Sequence, residues 1–390
     1  MHILRAVTTA GAAICALAAF LPGIANAGPA PKRTVGLVVT SWFTAQYNTP
    51  HWEECPEGAA IGNDELWLRS LPQDARIKKT DGGKVQPVDG ARKQQAVVRG
   101  PNGEDVCMNP TVVNDPPLRI IKGKFGYGFN LDGTNDGAPT SKSCKHDKFE
   151  DPDTGLKVDN QTYRTLGCIL GWRNGNYMEG HPNGERQDSG RGTILIEVTD
   201  VDDLENDPDV TVAFYGALDP MPKDSTGKIL PFASYHVSGT PQYGAKAKGR
   251  IENGQLTTTP VDARLPLYGN NYTGDMFLKD MRLRVAMPKE GEGAPVKALL
   301  GGYYDFNKWW DYIQKIEFLL VAGQWNCPQI YQAAKQLADG YPDPKTGECT
   351  ALSTALTMEA LPAFIVHPKN ERTVAEAPEP EKKTQLAQGQ

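Results

Sequence analysis

The chain has 390 residues, 39% of them hydrophobic, a formal net charge of -6 and seven cysteines. Such a length buries a sizeable core in one large domain or two ordinary ones. The negative balance argues against nucleic acid or an anionic membrane surface as partner, and no segment beyond the N-terminus approaches the roughly 20 apolar residues of a membrane span.

Residues 1–27 read as a secretory signal peptide. Arg5 precedes an apolar run from Ala10 to Leu21, then Pro22-Gly23 and Ala25-Asn26-Ala27, with cleavage expected after Ala27. The mature protein is therefore expected outside the cytoplasm, periplasmic or extracellular. Cleavage removes Cys15 and leaves Cys55, Cys107, Cys144, Cys168, Cys327 and Cys349, with no Cys-x-x-Cys pair. An even set in an oxidising compartment predicts three disulfides. Their grouping along the chain suggests neighbours: Cys55 with Cys107, Cys144 with Cys168, Cys327 with Cys349.

Within 28–117, Arg33 to Thr44 is rich in β-branched and aromatic residues and predicts a strand, followed by a loop-rich stretch. From 118 to 320 the apolar runs are short and evenly spaced: Leu118 to Ile121, Phe125 to Leu131, Thr193 to Val201, Val210 to Leu218, Ala233 to Val237, Gly249 to Leu256, Met276 to Met287 and Val296 to Tyr304. Asn253-Gly254 marks a tight hairpin. The pattern predicts a mainly β fold with an antiparallel β-sandwich or jelly-roll-like core. Residues 321–367 predict a disulfide-stapled helical hairpin, Pro328 to Ala338 capped by Asn326, then Thr350 to Ala360. The polar tail, 368–390, has the composition of a disordered segment.

The stretch from Asn130 to Gln161 concentrates Asp, Asn, Thr and Gly. Asp132-Gly-Thr134-Asn-Asp136-Gly137 places oxygens at positions one, three and five and Gly at six, which resembles the start of an EF-hand loop, although Ser143 stands where that loop needs its bidentate Glu. Asp151-Pro-Asp153-Thr-Gly155 through Asp159-Asn160 resembles, over about eleven residues, the calcium loops of thrombospondin type 3 repeats. Calcium is accordingly the expected cofactor, with Asp132, Asp136, Asp151, Asp153, Asp159 and Asn160 as ligands and His146 nearby. Turn chemistry alone is the competing account.

No Gly-x-Ser-x-Gly, His-Glu-x-x-His, phosphate-loop or haem-attachment motif occurs. Aromatic residues beside Gly- and Asn-rich turns suit sugar faces or an apolar groove. Trp172, Arg173, Tyr177, His181 and His236 are the candidate ligand-binding residues, with Trp172 expected to be exposed. The resulting expectation is a secreted, calcium-containing binding or envelope-associated protein whose partner is a glycan or surface polymer. The alternative is an extracellular carbohydrate-active hydrolase or lyase using paired carboxylates.

Overall fold

Arg33–Thr44 forms strand β1, with the residue bounds its composition predicts. The computed structural model describes residues 32–73, 77–79, 85–87, 99–269, 271–316 and 325–368; the expected signal peptide and the polar tail from 369 onward lie outside them. The other strands are β2 (Ile77–Lys79), β3 (Val85–Pro87), β4 (Phe149–Glu150), β5 (Lys157–Val158), β6 (Thr193–Val201), β7 (Asn206–Ala217), β8 (Ala233–His236), β9 (Lys246–Glu252), β10 (Gln255–Thr258), β11 (Val261–Gly269), β12 (Tyr272–Ala286), β13 (Val296–Asp305), β14 (Gly340–Pro342) and β15 (Cys349–Val366). Helices are α1 (Asn63–Ser70), α2 (Gln161–Leu166), α3 (Tyr177–Ser189), α4 (Phe306–Lys315) and α5 (Cys327–Leu337).

The fold is mainly antiparallel β. Eleven strands share one sheet, and its pairing runs β1-β6-β7-β9-β10-β12-β13-β15 and then returns from β15 to β1. The circuit closes on itself, so the two apolar layers expected of a sandwich face each other as opposite walls of one barrel. An eight-stranded barrel is just wide enough for side chains to fill, and alternate residues do so. Ile196 stands opposite Leu37 on one side and Phe214 on the other; Leu256 stands between Ile251 and Val285; Ala298 pairs with Met358, which pairs with Trp42. The intervening positions face outward. On β9 these are Lys246, Lys248, Arg250 and Glu252, all exposed, between buried Ala247, Gly249 and Ile251. Charges midway along the outer wall reverse the pattern of a lipid-facing barrel. The Asn253-Gly254 hairpin forms as read, both residues taking positive φ.

Three departures from the sequence pattern have physical causes. Thr350 to Ala360, predicted helical from its Ala, Leu, Met and Glu content, lies within β15; pairing on both edges, with β1 and β13, overrides that propensity. The disulfides join Cys55–Cys168, Cys107–Cys327 and Cys144–Cys349, across 113, 220 and 205 residues, because barrel closure brings distant segments together where sequence proximity suggested neighbours. Leu118 to Ile121 and Phe125 to Leu131 form no strand; the second run crosses the outside of the barrel and is held by isolated bridges from Phe125 to Glu150 and Phe129 to Asp159. The helix over Pro328 to Ala338 appears as α5, Asn326 capping it by accepting from Gln329 N. No helix among the described residues is long and apolar enough to cross a membrane.

Leu300 is fully buried in the barrel wall between Leu283 and Leu356. Leu300→Ala is expected to cost about 2–5 kcal/mol, read by urea unfolding. Peptide mapping without reduction is expected to return the three long-range disulfides; a Cys144–Cys168 peptide would contradict the fold.

Candidate functional site

Two places gather chemistry. The first is the acidic loop, which converges only in part. Asp132 and Asp159 meet His146, Lys148 and Asp339. The Lys148 ammonium lies 2.7 Å from Asp132 Oδ1, 2.7 and 2.9 Å from the two Asp159 oxygens and 3.2 Å from Asn130 Oδ1. His146 Nε2 lies 2.8 Å from Asp159 Oδ1, while Nδ1 lies 2.8 Å from the Cys144 carbonyl. Both ring nitrogens thus face acceptors, which requires an imidazolium. Burial alone would push the His146 pKa down, but the bond to Asp159 and the charge of Asp339 push it up to about 9. Burial raises Asp339 to about 7 against the opposing His146 charge and the bond from Ser353.

Asp132, His146 and Asp159 bring one ligand atom each within 4.8 Å of one another, a set able to hold a metal ion. Lys148 already occupies the oxygen-lined space and, with His146, offsets the carboxylates. The remaining residues of the expected calcium set are elsewhere. Asp136 Oδ1 accepts from Ala138 N, and Asp151 Oδ1 accepts from Asp153 N and Thr154 N, both turn bonds. Asp153 is exposed. Asn160 caps α2 through Tyr163 N and donates to the carbonyls of Ala45 and Tyr127.

The second place is the barrel mouth beneath α2, α3 and α4. Strand β1 outruns β6, whose pairing with it ends at Val38, so the last residues of β1 have one edge without a strand. Helix α3 supplies that edge. Gln187 Nε2 donates to the Thr40 carbonyl; Asn183 accepts from Trp42 N and donates to Trp42 O; Glu179 Oε1 accepts from Thr44 N at 2.7 Å and from Thr44 Oγ1. Four residues of helix rise about 6 Å and two residues of strand about 6.6 Å, so side chains at 179, 183 and 187 keep step with residues 44, 42 and 40. This tertiary ladder holds a helix that contains Pro182 and two glycines, which explains why its sequence reads as a loop.

Behind the ladder lies a cavity of about 610 Å³ with its mouth included, of which about 50 Å³ admits the centre of a water molecule. Trp42, Trp172, Met178, Met276, Tyr304 and Trp309 form much of its wall. Four buried polar atoms among its lining residues have no hydrogen-bond partner: Trp42 Nε1, Thr162 Oγ1, Glu179 Oε2 and Tyr304 Oη. Burial raises the Glu179 carboxyl to about 7, opposed by the bonds from Thr44 and by the Arg186 charge. Burial likewise lowers Arg186 to about 10; its guanidinium bonds Asn183 Oδ1 and lies 4.5 Å from the Trp42 ring.

Of the sequence candidates, Trp172 reaches this cavity, though as a buried wall residue against Trp325 rather than an exposed ring. Arg173 is buried, paired with Glu54 and stacked on Trp52. Tyr177 opens α3, and its side chain lies outside the described residues. His181 is exposed beside Glu185, and His236 is exposed with Nδ1 3.1 Å from Asp219. Sequence reasoning missed Glu179 and Trp42; only the fold shows that β1 needs α3 beside it. Compared with known proteins, the chain matches no family model, no curated protein and no solved structure.

Two pH windows follow. His146 has its folded pKa raised from 6.5 to about 9, so the stability it contributes is complete below pH 6.5 and lost as pH rises through 9. Glu179 is raised from 4.5 to about 7; the folded state then holds a proton the unfolded chain releases, and stability falls as pH rises from 4.5 to 7. Urea unfolding across pH 4 to 10 is expected to show Glu179→Gln reducing the slope of the lower window, which Asp339 shares because burial raises it from 3.8 to about 7, and His146→Gln flattening the upper one. A variant that leaves its window unchanged would refute the assignment.

Proposed function

We propose that the protein is an extracytoplasmic binding protein that seats a small, mainly apolar ligand in the barrel-mouth cavity. The observation that carries this reading is the set of four unpartnered buried polar atoms around one aromatic-lined space. Each such group costs about 1–3 kcal/mol when left unsatisfied, and a pocket that combines apolar walls, a few converging polar groups and a shifted carboxyl fits ligand binding. The ligand offers a hydrogen-bond donor to Glu179 Oε2 and an acceptor to Trp42 Nε1. The closed space, about 50 Å³, is smaller than the roughly 150 Å³ that holds a benzene ring, so a ring-sized molecule enters as α3 and α4 part.

The secretory reading of residues 1–27 accords with three disulfides, which fit an oxidising compartment. Binding is favoured over carboxylate-pair hydrolysis because Glu179 is the sole carboxylate among the described residues lining the cavity and hydrolysis of that kind needs two flanking the substrate. Asp132 and Asp159 are a carboxylate pair, but Lys148 bridges them. In this reading Lys148 takes the structural part expected of calcium.

Thermal melts with benzylamine, benzyl alcohol and toluene at millimolar concentration test the cavity. Benzylamine is expected to raise Tm most, the rise being lost in Met276→Trp, which fills the space, and reduced in Glu179→Gln. No shift with any of the three compounds would sink the proposal. Excess EDTA is expected to leave Tm unchanged, whereas Lys148→Met is expected to cost about 3–5 kcal/mol by stranding buried carboxylates; a drop in EDTA restored by calcium would instead establish a metal site.

A further inference from the structure

We infer that the outer wall of the barrel carries a second, independent binding site, a groove centred on Arg284 that takes an acidic polysaccharide. Three adjoining depressions of about 1020, 460 and 1000 Å³, open mouths included, all have Arg284 in their lining. The first runs over β9, β10 and β12, and the other two lie between the wall and the acidic loop that crosses it. The first and second share Phe129 and the second and third share Asp151 and Thr154, so the three adjoin as one open path through Arg284.

The register explains the charge. Thr257 of β10 stands directly between Arg250 of β9 and Arg284 of β12, all three side chains pointing outward. Adjacent strands are about 4.8 Å apart, so two guanidinium groups project from the same level roughly 10 Å apart. Lys297 projects beside them from β13, exposed. Among the described residues neither Arg284 nor Lys297 forms an ion pair, and Arg250 pairs only with the exposed Glu252. Arg284 instead sits 5.4 Å from the Phe129 ring, whose own place against the wall depends on Gly301, where a Cβ would come within 2.7 Å of that ring. Arg282 pins the opposite bank by donating to the Asn130 and Leu131 carbonyls, and its Nε is buried without a partner. The lining holds six cations and three carboxylates; Lys248 pairs with Asp209, Lys157 with Glu150 and Arg250 with Glu252, which leaves Arg282, Arg284 and Lys297 without a carboxylate partner among the described residues, on a chain whose net charge is -6. Arg250 and Arg284 are two strands apart, so an anionic group lying over Thr257 is within reach of both guanidinium groups.

The rest of the lining selects the anion. Thr257, Thr258 and Gln255 offer neutral hydroxyls and an amide, the groups that bond sugar hydroxyls, and Phe129 offers a ring edge. The exposed Asp153 and Asp209 along the margins accept from hydroxyls but repel a continuous row of phosphates. A polymer with spaced carboxylates or sulfates among hydroxyls satisfies both sets, whereas a nucleic acid satisfies only the first.

The test uses the disulfide-bonded mature chain and affinity electrophoresis through polygalacturonate, chondroitin sulfate, neutral dextran and single-stranded DNA. Retardation by at least one acidic polysaccharide and not by dextran is expected, weakening roughly tenfold or more between about 20 mM and 500 mM salt. The Arg250→Ala, Arg284→Ala double variant is expected to lose roughly tenfold or more in affinity with its melting temperature kept, Arg284→Lys to retain part of the binding, and Glu179→Gln to bind as the parent does. The inference is overturned by binding that ignores the arginine changes, by equal retardation in DNA, or by no retardation in either acidic polysaccharide at low salt. Because Glu179→Gln alters only the cavity, failure there and failure at the groove are separable.

Discussion

Strand β1 has to be paired along both edges, and the two ways in which that is achieved determine the rest of the molecule. One edge is taken from Leu37 onward by β15, Leu37 against Pro362 to Thr44 against Leu356, which closes the sheet. The other edge is taken by β6 as far as Val38 and after that by the side chains of α3. Buried backbone groups that lack partners are costly enough to be nearly absent from native proteins, so the ladder of Glu179, Asn183 and Gln187 replaces a missing strand. The match between two residues of strand and four of helix makes that replacement geometrically exact enough to extend over three steps.

Placing a helix where a strand would run has a chemical consequence. A strand would meet β1 with amides alone, whereas α3 brings a carboxyl group into the barrel mouth and uses one of its oxygens. The second oxygen of Glu179 is left facing a space walled by tryptophan, tyrosine and methionine, and in that surrounding the ionised form is disfavoured. The same substitution thus completes the edge of β1 and leaves a buried carboxyl with one oxygen unpartnered. Removing Glu179 outright would therefore disturb both the edge of β1 and the pocket, which is why the glutamine replacement, able to keep the Thr44 bonds, is the informative one.

How much of this was legible in the sequence varied with the source of the signal. The bounds of β1 and β6 were readable because β-branched residues recur there between turn signals, and α5 because Asn326 and the periodic Ile330, Ala334 and Leu337 mark it. Strand β15 was not, since its Ala, Leu, Met and Glu residues favour helix and only pairing on both edges makes it extended. Strand β11 escaped because Pro266 interrupts its pattern; the proline is tolerated where the strand pairs with β12 alone. The cavity had no local signature at all: its residues come from positions 42 to 356, and their convergence is a property of barrel closure.

The acidic loop shows the same limit in a different form. Composition marked Asp132 and Asp159 among six expected calcium ligands, since calcium is the economical solution when carboxylates crowd on a flexible loop. Lys148 offers another. Its side chain, 2% exposed, extends into the oxygen cluster and bonds Asp132, Asp159 and Asn130, while the charged His146 covers Asp159 from the other side. The arrangement depends on Cys144 being tied to Cys349 and on Cys144 N bonding the Asp339 carbonyl, contacts across some two hundred residues that no local pattern encodes. A lysine four residues past a cysteine is unremarkable in the sequence; anchored at that distance, its ammonium group becomes the cation around which the loop is built.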